Sequence, residues 1–175
     1  STADQERGGA NFGDVSAYTC GDLEEIYRLR ISETQLASGS SMTPQAYSDL
    51  DALALAALLK AGDISVREVH ELAVAATAKA NGAFNFALDL QDRGPPPALP
   101  NGPLAGVPTL IKDINGHLEG YPIRYGSRLY EGITSPKSTH VGLGIQRAGM
   151  DVIGVSSAPE FSLEGHTANL LTGDV

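Results

Sequence analysis

The sequence predicts an α/β fold that opens with a helical hairpin. Two patterns carry this expectation. Between residues 48 and 82, apolar side chains recur twice at helical spacing, with a short polar link between the two runs. Between residues 107 and 155, a short apolar run, a helical stretch and a second apolar run follow one another, as in a parallel βαβ unit. With 175 residues, 42% hydrophobic and 19% charged, the chain can bury a core as one domain or as part of a larger one.

Residues 1–45 read as an N-terminal extension, and residues 46–175 as the folded part. Ser1–Gly13 is rich in glycine and charge. Asp22–Ile31 places Leu23, Ile26, Tyr27 and Arg30 at helical spacing, and Ala37–Pro44 reads as a loop. The hairpin begins at Ser48, the expected N-cap, with Leu50, Leu53, Ala54, Ala57 and Leu58 as its buried face and Gly62 as its stop. Ser65 and Glu68 then form a capping box, with Ile64 and Val69 stapled across it. Val69, Leu72, Ala73, Ala76 and Ala80 make the second face, and Asn81-Gly82 is the expected stop.

Phe84, Phe86, Leu88 and Leu90 alternate with smaller or polar residues, which predicts a half-buried strand. Gly94–Pro103 carries five prolines in ten residues and reads as a loop. Val107–Ile111 is an apolar strand that runs into Lys112-Asp113. Asn115–Pro136 has no clean period. Ser138–Ala148 predicts a weaker helix facing inward through Val141, Ile145 and Ala148, with Gly142 and Gly144 costing about 1 kcal/mol each against alanine. Gly149 ends it, and Asp151–Val155 is the second strand of the unit.

Composition excludes several functions. The net charge is −9 with no basic cluster, which argues against nucleic acid or an anionic membrane as partner. No apolar run reaches the roughly 18 residues of a membrane span. Cys20 is the only cysteine, so neither an internal disulfide nor a cysteine zinc site is available, and a reducing compartment such as the cytoplasm fits without being established. His70, His117, His140 and His166 are scattered, so neither a metal nor a cofactor is expected. His70 lies off the main apolar face of its helix and is expected in solvent. Gly142-x-Gly144 sits inside a helix, not at the strand-to-helix turn a dinucleotide requires. Ser1 lies in a polar segment that reads as a mobile terminus, which argues against an N-terminal nucleophile, and Cys20 has no identifiable base.

Lys112 has two readings on pattern alone. It closes a strand of a βαβ unit, and ligands of open α/β sheets bind at such strand ends. A desolvated lysine there loses its proton readily and becomes a base. The other reading, commoner for lysine, is a solvated Lys112-Asp113 pair.

The surrounding residues decide between them. Gly102-Pro-Leu-Ala-Gly-Val-Pro-Thr-Leu-Ile-Lys112-Asp113 resembles the lysine segment of the amidase-signature family. Gly126-Ser127 is similar to that family's Gly-Ser, and Gln146–Gly154 to its Ala-Gly run. Ser156-Ser157-Ala158-Pro159-Glu160-Phe161 resembles its Thr-Asn-x-Pro-Glu-Phe, and Asn169 followed by Gly173 its Asn-x-x-x-Gly. Val155 departs from the pattern, standing where many members have lysine. The resemblance runs in order from about Ser48 to Val175, and the hairpin with Lys60–Ser65 at its turn matches the usual start of the fold.

This resemblance implies the N-terminal part of an amidase-signature fold, a mixed sheet wrapped by helices. It implies hydrolysis of a carboxamide, or an ester, by a Ser–cisSer–Lys triad without a cofactor. Lys112 would be the base, acting through a bridging serine on a nucleophilic serine. Ser157 occupies a position close to the site but outside the triad. His117, five residues past Lys112, lines the crevice or is a loop histidine. Tyr121, Tyr125 and Tyr130, with Arg124 and Arg128, would face an aromatic or carboxylate-bearing substrate, or else pack as a surface loop; Tyr125 is the binding candidate.

The family's two serines and its oxyanion-hole amides lie in a Gly/Ser-rich segment for which these residues hold no equivalent. Ser38-Gly39-Ser40-Ser41 precedes the fold and lacks the glycines. The expected partner is therefore a second polypeptide, or a C-terminal segment of the same precursor, that carries the serines; a shortened piece is the other origin. The competing function is a non-catalytic binding or scaffold subunit on the same fold.

Overall fold

In a computed structural model, the structure describes residues 42–90, 94–96 and 100–175. The expectations for residues 1–41, including the Asp22–Ile31 helix and Cys20, lie outside these residues.

Helix α1 is Pro44–Ser48, capped by Thr43, whose Oγ1 accepts the Ala46 N–H at 3.1 Å. Helix α2 is Ala52–Ala61, and its N-cap is Asp51, which accepts from Ala54 N at 2.8 Å. The expected cap, Ser48, instead ends α1 and donates its hydroxyl back to Pro44 O and Gln45 O. The buried face of α2 is also rotated from expectation: Ala54, Leu55, Leu58 and Leu59 are inside, while Leu53 is 48% exposed. Its sequence is apolar nearly all round, so the pattern offers no polar side to fix the phase, and packing chooses it. Gly62 ends α2 in the left-handed region (φ 77), as glycine allows.

Helix α3, Val66–Phe84, has the expected Ser65 cap on Glu68 N. The reciprocal half of the capping box is diverted, because Glu68 Oε1 accepts Met42 N at 2.6 Å. Glu68 thereby ties the chain before α1 to the head of α3. Met42, Leu55, Leu58, Leu59, Ile64, Val69 and Val107 form one buried cluster, so the packed unit reaches back to Met42. Ile64 and Val69, the predicted staple, both lie in this cluster. Asn81-Gly82 does not stop α3, which runs to Phe84 and ends on Asn85 (φ 50). The Asn81 amide is spent instead on Ala87, accepting its N–H at 2.6 Å and donating to its carbonyl at 2.9 Å. Phe84 is therefore helical and 63% exposed rather than part of a strand.

Strand β1 is Ala87–Leu90, with Ala87 its buried residue. Strand β2 is Pro108–Lys112 and strand β3 is Asp151–Ser156. Their order is β1-β3-β2, with β1 antiparallel and β2 parallel to β3, which is the mixed sheet the resemblance implies. Helix α4, His140–Arg147, lies between β2 and β3 in sequence and completes the βαβ unit. Thr139 caps it, and Val141, expected inside, is 56% exposed. The buried position is Gly142, where any Cβ would collide with the His117 carbonyl. Ile145 packs against Ile111, Leu118 and Val155, the second core cluster. Beyond β3 lies a two-stranded ribbon, β4 (Ala168–Asn169) and β5 (Gly173–Asp174).

His70 corrects the expectation of a solvated side chain. It is buried in α3, and its Nδ1 donates to Asp151 Oδ2 at 2.7 Å. An acid at the start of β3 thus draws inward a histidine that the helix pattern places off the apolar face.

Candidate active site

Lys112 is the last residue of β2, and its register partner on β3 is Ser156. The ladder continues one step further, with Asp113 N donating to Ser156 O at 2.9 Å. The parallel strands therefore end together, with Lys112-Asp113 on one and Ser156-Ser157 on the other. The Lys112 side chain is exposed, whereas the backbone beneath it is anchored.

Asp113 is not the solvated partner of Lys112 that the commoner reading supposed. It is fully buried. Its Oδ1 accepts Arg124 N at 2.7 Å and its Oδ2 accepts Gly126 N at 3.0 Å. Between these two amides sits Tyr125 at φ 52, followed by Gly126 at φ 62. A Cβ on Gly126 would strike the Ala158 carbonyl, so only glycine lets this turn reach the β3 end. Two more bonds hold it: Tyr125 O accepts Phe161 N at 2.8 Å, and Arg124 Nη1 pairs with Asp89 Oδ2 on β1 at 2.7 Å.

Burial raises the Asp113 pKa from its ordinary value, outweighing the Gly126 and Arg124 amides and the charges of Arg124 and His117, which lower it. The folded chain therefore holds this proton more tightly than the unfolded chain. The stability Asp113 contributes is fully present below about pH 4 and is lost as pH rises through its raised value. The Asp113→Asn variant, which does not titrate there, is expected to gain on wild type as pH rises from about 4 through that raised value. Melting temperatures of both proteins across that range check this; a wild type that gains on the variant as pH rises contradicts it.

His117 is buried, and its carbonyl accepts Thr139 N at 2.9 Å. Among the described residues its Nε2 finds no hydrogen-bond partner. Its ring meets Tyr125 edge to face at 5.1 Å. Tyr125 in turn contacts Tyr130 at 4.9 Å and stacks near Phe161 at 6.2 Å. His117 thus lies behind Tyr125, with Tyr125 and the 40%-exposed Phe161 in front. Ser157 is buried at the β3 end, and its N–H donates to Phe86 O at 2.7 Å. Of the two arginines beside the tyrosines, Arg124 is held by Asp89, and Arg128 donates its Nε to Leu170 O at 3.0 Å. Asn169 bonds Ala158 O through Nδ2, while its Oδ1 receives Leu171 N and Thr172 N. It fastens the ribbon to the β3 end.

The structure joins the four candidates in two pairs, Lys112 beside the Ser156-Ser157 end and His117 against Tyr125. Asp113 links the pairs. Pattern reading missed its role, since an acid after a lysine at a strand end looks solvated. No spacing in the sequence marks the pairing, because its partners lie 11 and 13 positions away. Among the described residues, no group of three His, Cys, Asp or Glu side chains could hold a metal ion, and no helix is long and apolar enough to cross a membrane.

The family model described as Amidase matches residues 65–175, more than half of the chain. The glutamyl-tRNA(Gln) amidotransferase A-subunit of Mycolicibacterium vanbaalenii is 30% identical over 146 residues, covering 71% of this chain and 28% of that protein. Its counterpart from Methanosarcina mazei is 39% identical over 66 residues, covering 38% of this chain and 14% of that protein. The chain thus spans well under a third of the length of these curated relatives. In fold, 6-aminohexanoate cyclic dimer hydrolase superposes with a TM-score of 0.62 at 24% identity, over 72% of this chain and 27% of the other. Fatty acid amide hydrolase superposes with a TM-score of 0.64 at 19% identity, over 91% and 30%.

Proposed function

This chain belongs to the amidase family, and on that premise we propose that it supplies the lysine base of a Ser–cisSer–Lys amide hydrolase whose serines lie outside these 175 residues. The observation that carries the reading is Lys112 itself, set at the end of a parallel strand within the matched region and next to the Ser156-Ser157 end. Neutral Nζ of Lys112 takes a proton from the bridging serine, which takes one from the nucleophile as it attacks the carbonyl carbon. The proton then passes to the departing amine, and water releases the acyl group. His117, Tyr125 and Ser157 are the substrate-side residues from this chain.

The exposure of Lys112 supports the need for a remainder. A lysine works as a base only where its charged form is disfavoured, and solvent favours that form. Covering by the serine-bearing segment, on a partner chain or on the same precursor, would supply the dry surroundings. The relatives that are amidotransferase subunits support a second reading, in which the amide nitrogen is transferred instead of released.

A serine-directed sulfonyl fluoride tests the division of labour. The active assembly should lose amide turnover as one label attaches per site, on a serine outside these 175 residues. A stoichiometric label on Ser157, or on any serine of this chain, would refute it. Turnover of glutamine with and without an ammonia acceptor separates hydrolysis from transfer.

A further inference from the structure

The turn that carries Tyr125 and the strand that carries Lys112 are joined through one side chain. Asp113 follows Lys112 directly, and its backbone N–H extends the ladder to Ser156 O. Its two carboxylate oxygens take the amides on either side of Tyr125. Nothing in an ordinary turn requires a buried acid for this task, because a carbonyl or a water can accept an amide proton. We propose that Asp113 is a positioning residue of the amide-cleaving site, a carboxylate clip that fixes the Tyr125 turn to the strand end bearing Lys112.

Three observations favour this role over plain support of the fold. Tyr125 is held at positive φ, where a non-glycine residue is disfavoured, so the turn keeps its shape only if its surroundings enforce it. The flanking contacts tie the turn to β1 and to the segment that leaves β3: Arg124 on Asp89, Tyr125 O on Phe161 N, and Gly126 against Ala158. The ionised carboxylate, which accepts both amides, is the form that burial disfavours. Holding both amides with one side chain therefore carries a desolvation cost at this position.

Asp113→Asn keeps the shape but turns an NH2 donor towards one of the two N–H groups. Asp113→Ala removes both acceptors. Amide exchange by NMR, with Val69 and Val155 as internal references, reads the clip directly. Arg124 and Gly126 should exchange about tenfold faster in Asp113→Asn, and faster still in Asp113→Ala, with the references unchanged. In the active assembly, kcat/KM per folded molecule for p-nitrophenyl acetate should fall in the same order, by about tenfold for Asp113→Asn. Unchanged exchange at the two amides overturns the proposal. So does faster exchange with kcat/KM intact, the outcome of a merely structural role.

The effect on turnover rests on the reading of Lys112 as base, and Lys112→Ala, run alongside, separates the two. If that variant keeps full turnover while both Asp113 variants lose it, the base assignment falls and the clip stands. If Lys112→Ala abolishes turnover and the Asp113 variants do not change it, the clip falls and the base stands.

Discussion

Lys112→Ala is expected to lower amide turnover of the active assembly by about a thousandfold or more. The same change should alter the stability of this chain by no more than about 0.5 kcal/mol. The separation follows from where the residue sits. Its side chain is exposed, so truncation removes no core packing, and its backbone stays paired with β3. Whatever turnover is lost is therefore chemistry and not unfolding. Lys112→Arg should be nearly as inactive, because a guanidinium keeps the charge but does not give up its proton near neutrality. Turnover measured with melting temperature checks both variants. A Lys112→Ala enzyme that still hydrolyses amides at the wild-type rate would remove the base from this chain.

The second large effect is structural and lies at the other end of the sheet. His70→Ala is expected to destabilise the chain by about 3–5 kcal/mol, a large share of the stability of an ordinary domain. His70 and Asp151 are both about 7% exposed at their side chains and bond at 2.7 Å. Removing the imidazole strands a carboxylate inside the protein and opens a cavity between α3 and β3. Asp151 also donates its N–H to Val107 O at 2.9 Å, at the point where β2 and β3 begin to run together, so the loss is felt in the sheet. The double replacement His70→Leu with Asp151→Leu should cost less than His70→Ala alone, since no buried charge then remains. Denaturant unfolding of the three proteins measures this. A His70→Ala chain within about 1 kcal/mol of wild type would show that the pair does not bind helix to sheet.

The chain's own residues announced much of the fold. The Gly62 stop, the Ser65 cap, the Ile64–Val69 staple and the strand–helix–strand run from Val107 to Val155 were all legible, because each depends on neighbours within one or two turns of chain. Failures arose where local preference was weak or was outbid. The phase of α2 could not be read from a segment apolar on every side. Asn81-Gly82 looked like a stop, yet the Asn81 amide had a better use at Ala87. Val141 looked like an inward residue, but the His117 carbonyl takes the inner space, and only Gly142 fits beside it.

The order of residues around Lys112 identifies the family, and the base role proposed for Lys112 rests on that order. The partners of its neighbours were not legible there. Asp113 bonds residues 11 and 13 positions away, and His70 bonds one 81 positions away. Sequence spacing carries no trace of such pairings, since a buried carboxylate takes whichever donors the folded chain brings within reach. The sequence by itself determined the family, two capped helices in tandem, the βαβ unit and the lysine at its strand end. Only the tertiary structure decided that Asp113 and His70 are inside. Burial is a property of what packs around a residue, and an acid or a histidine goes inside only when the fold delivers its hydrogen-bond partners there.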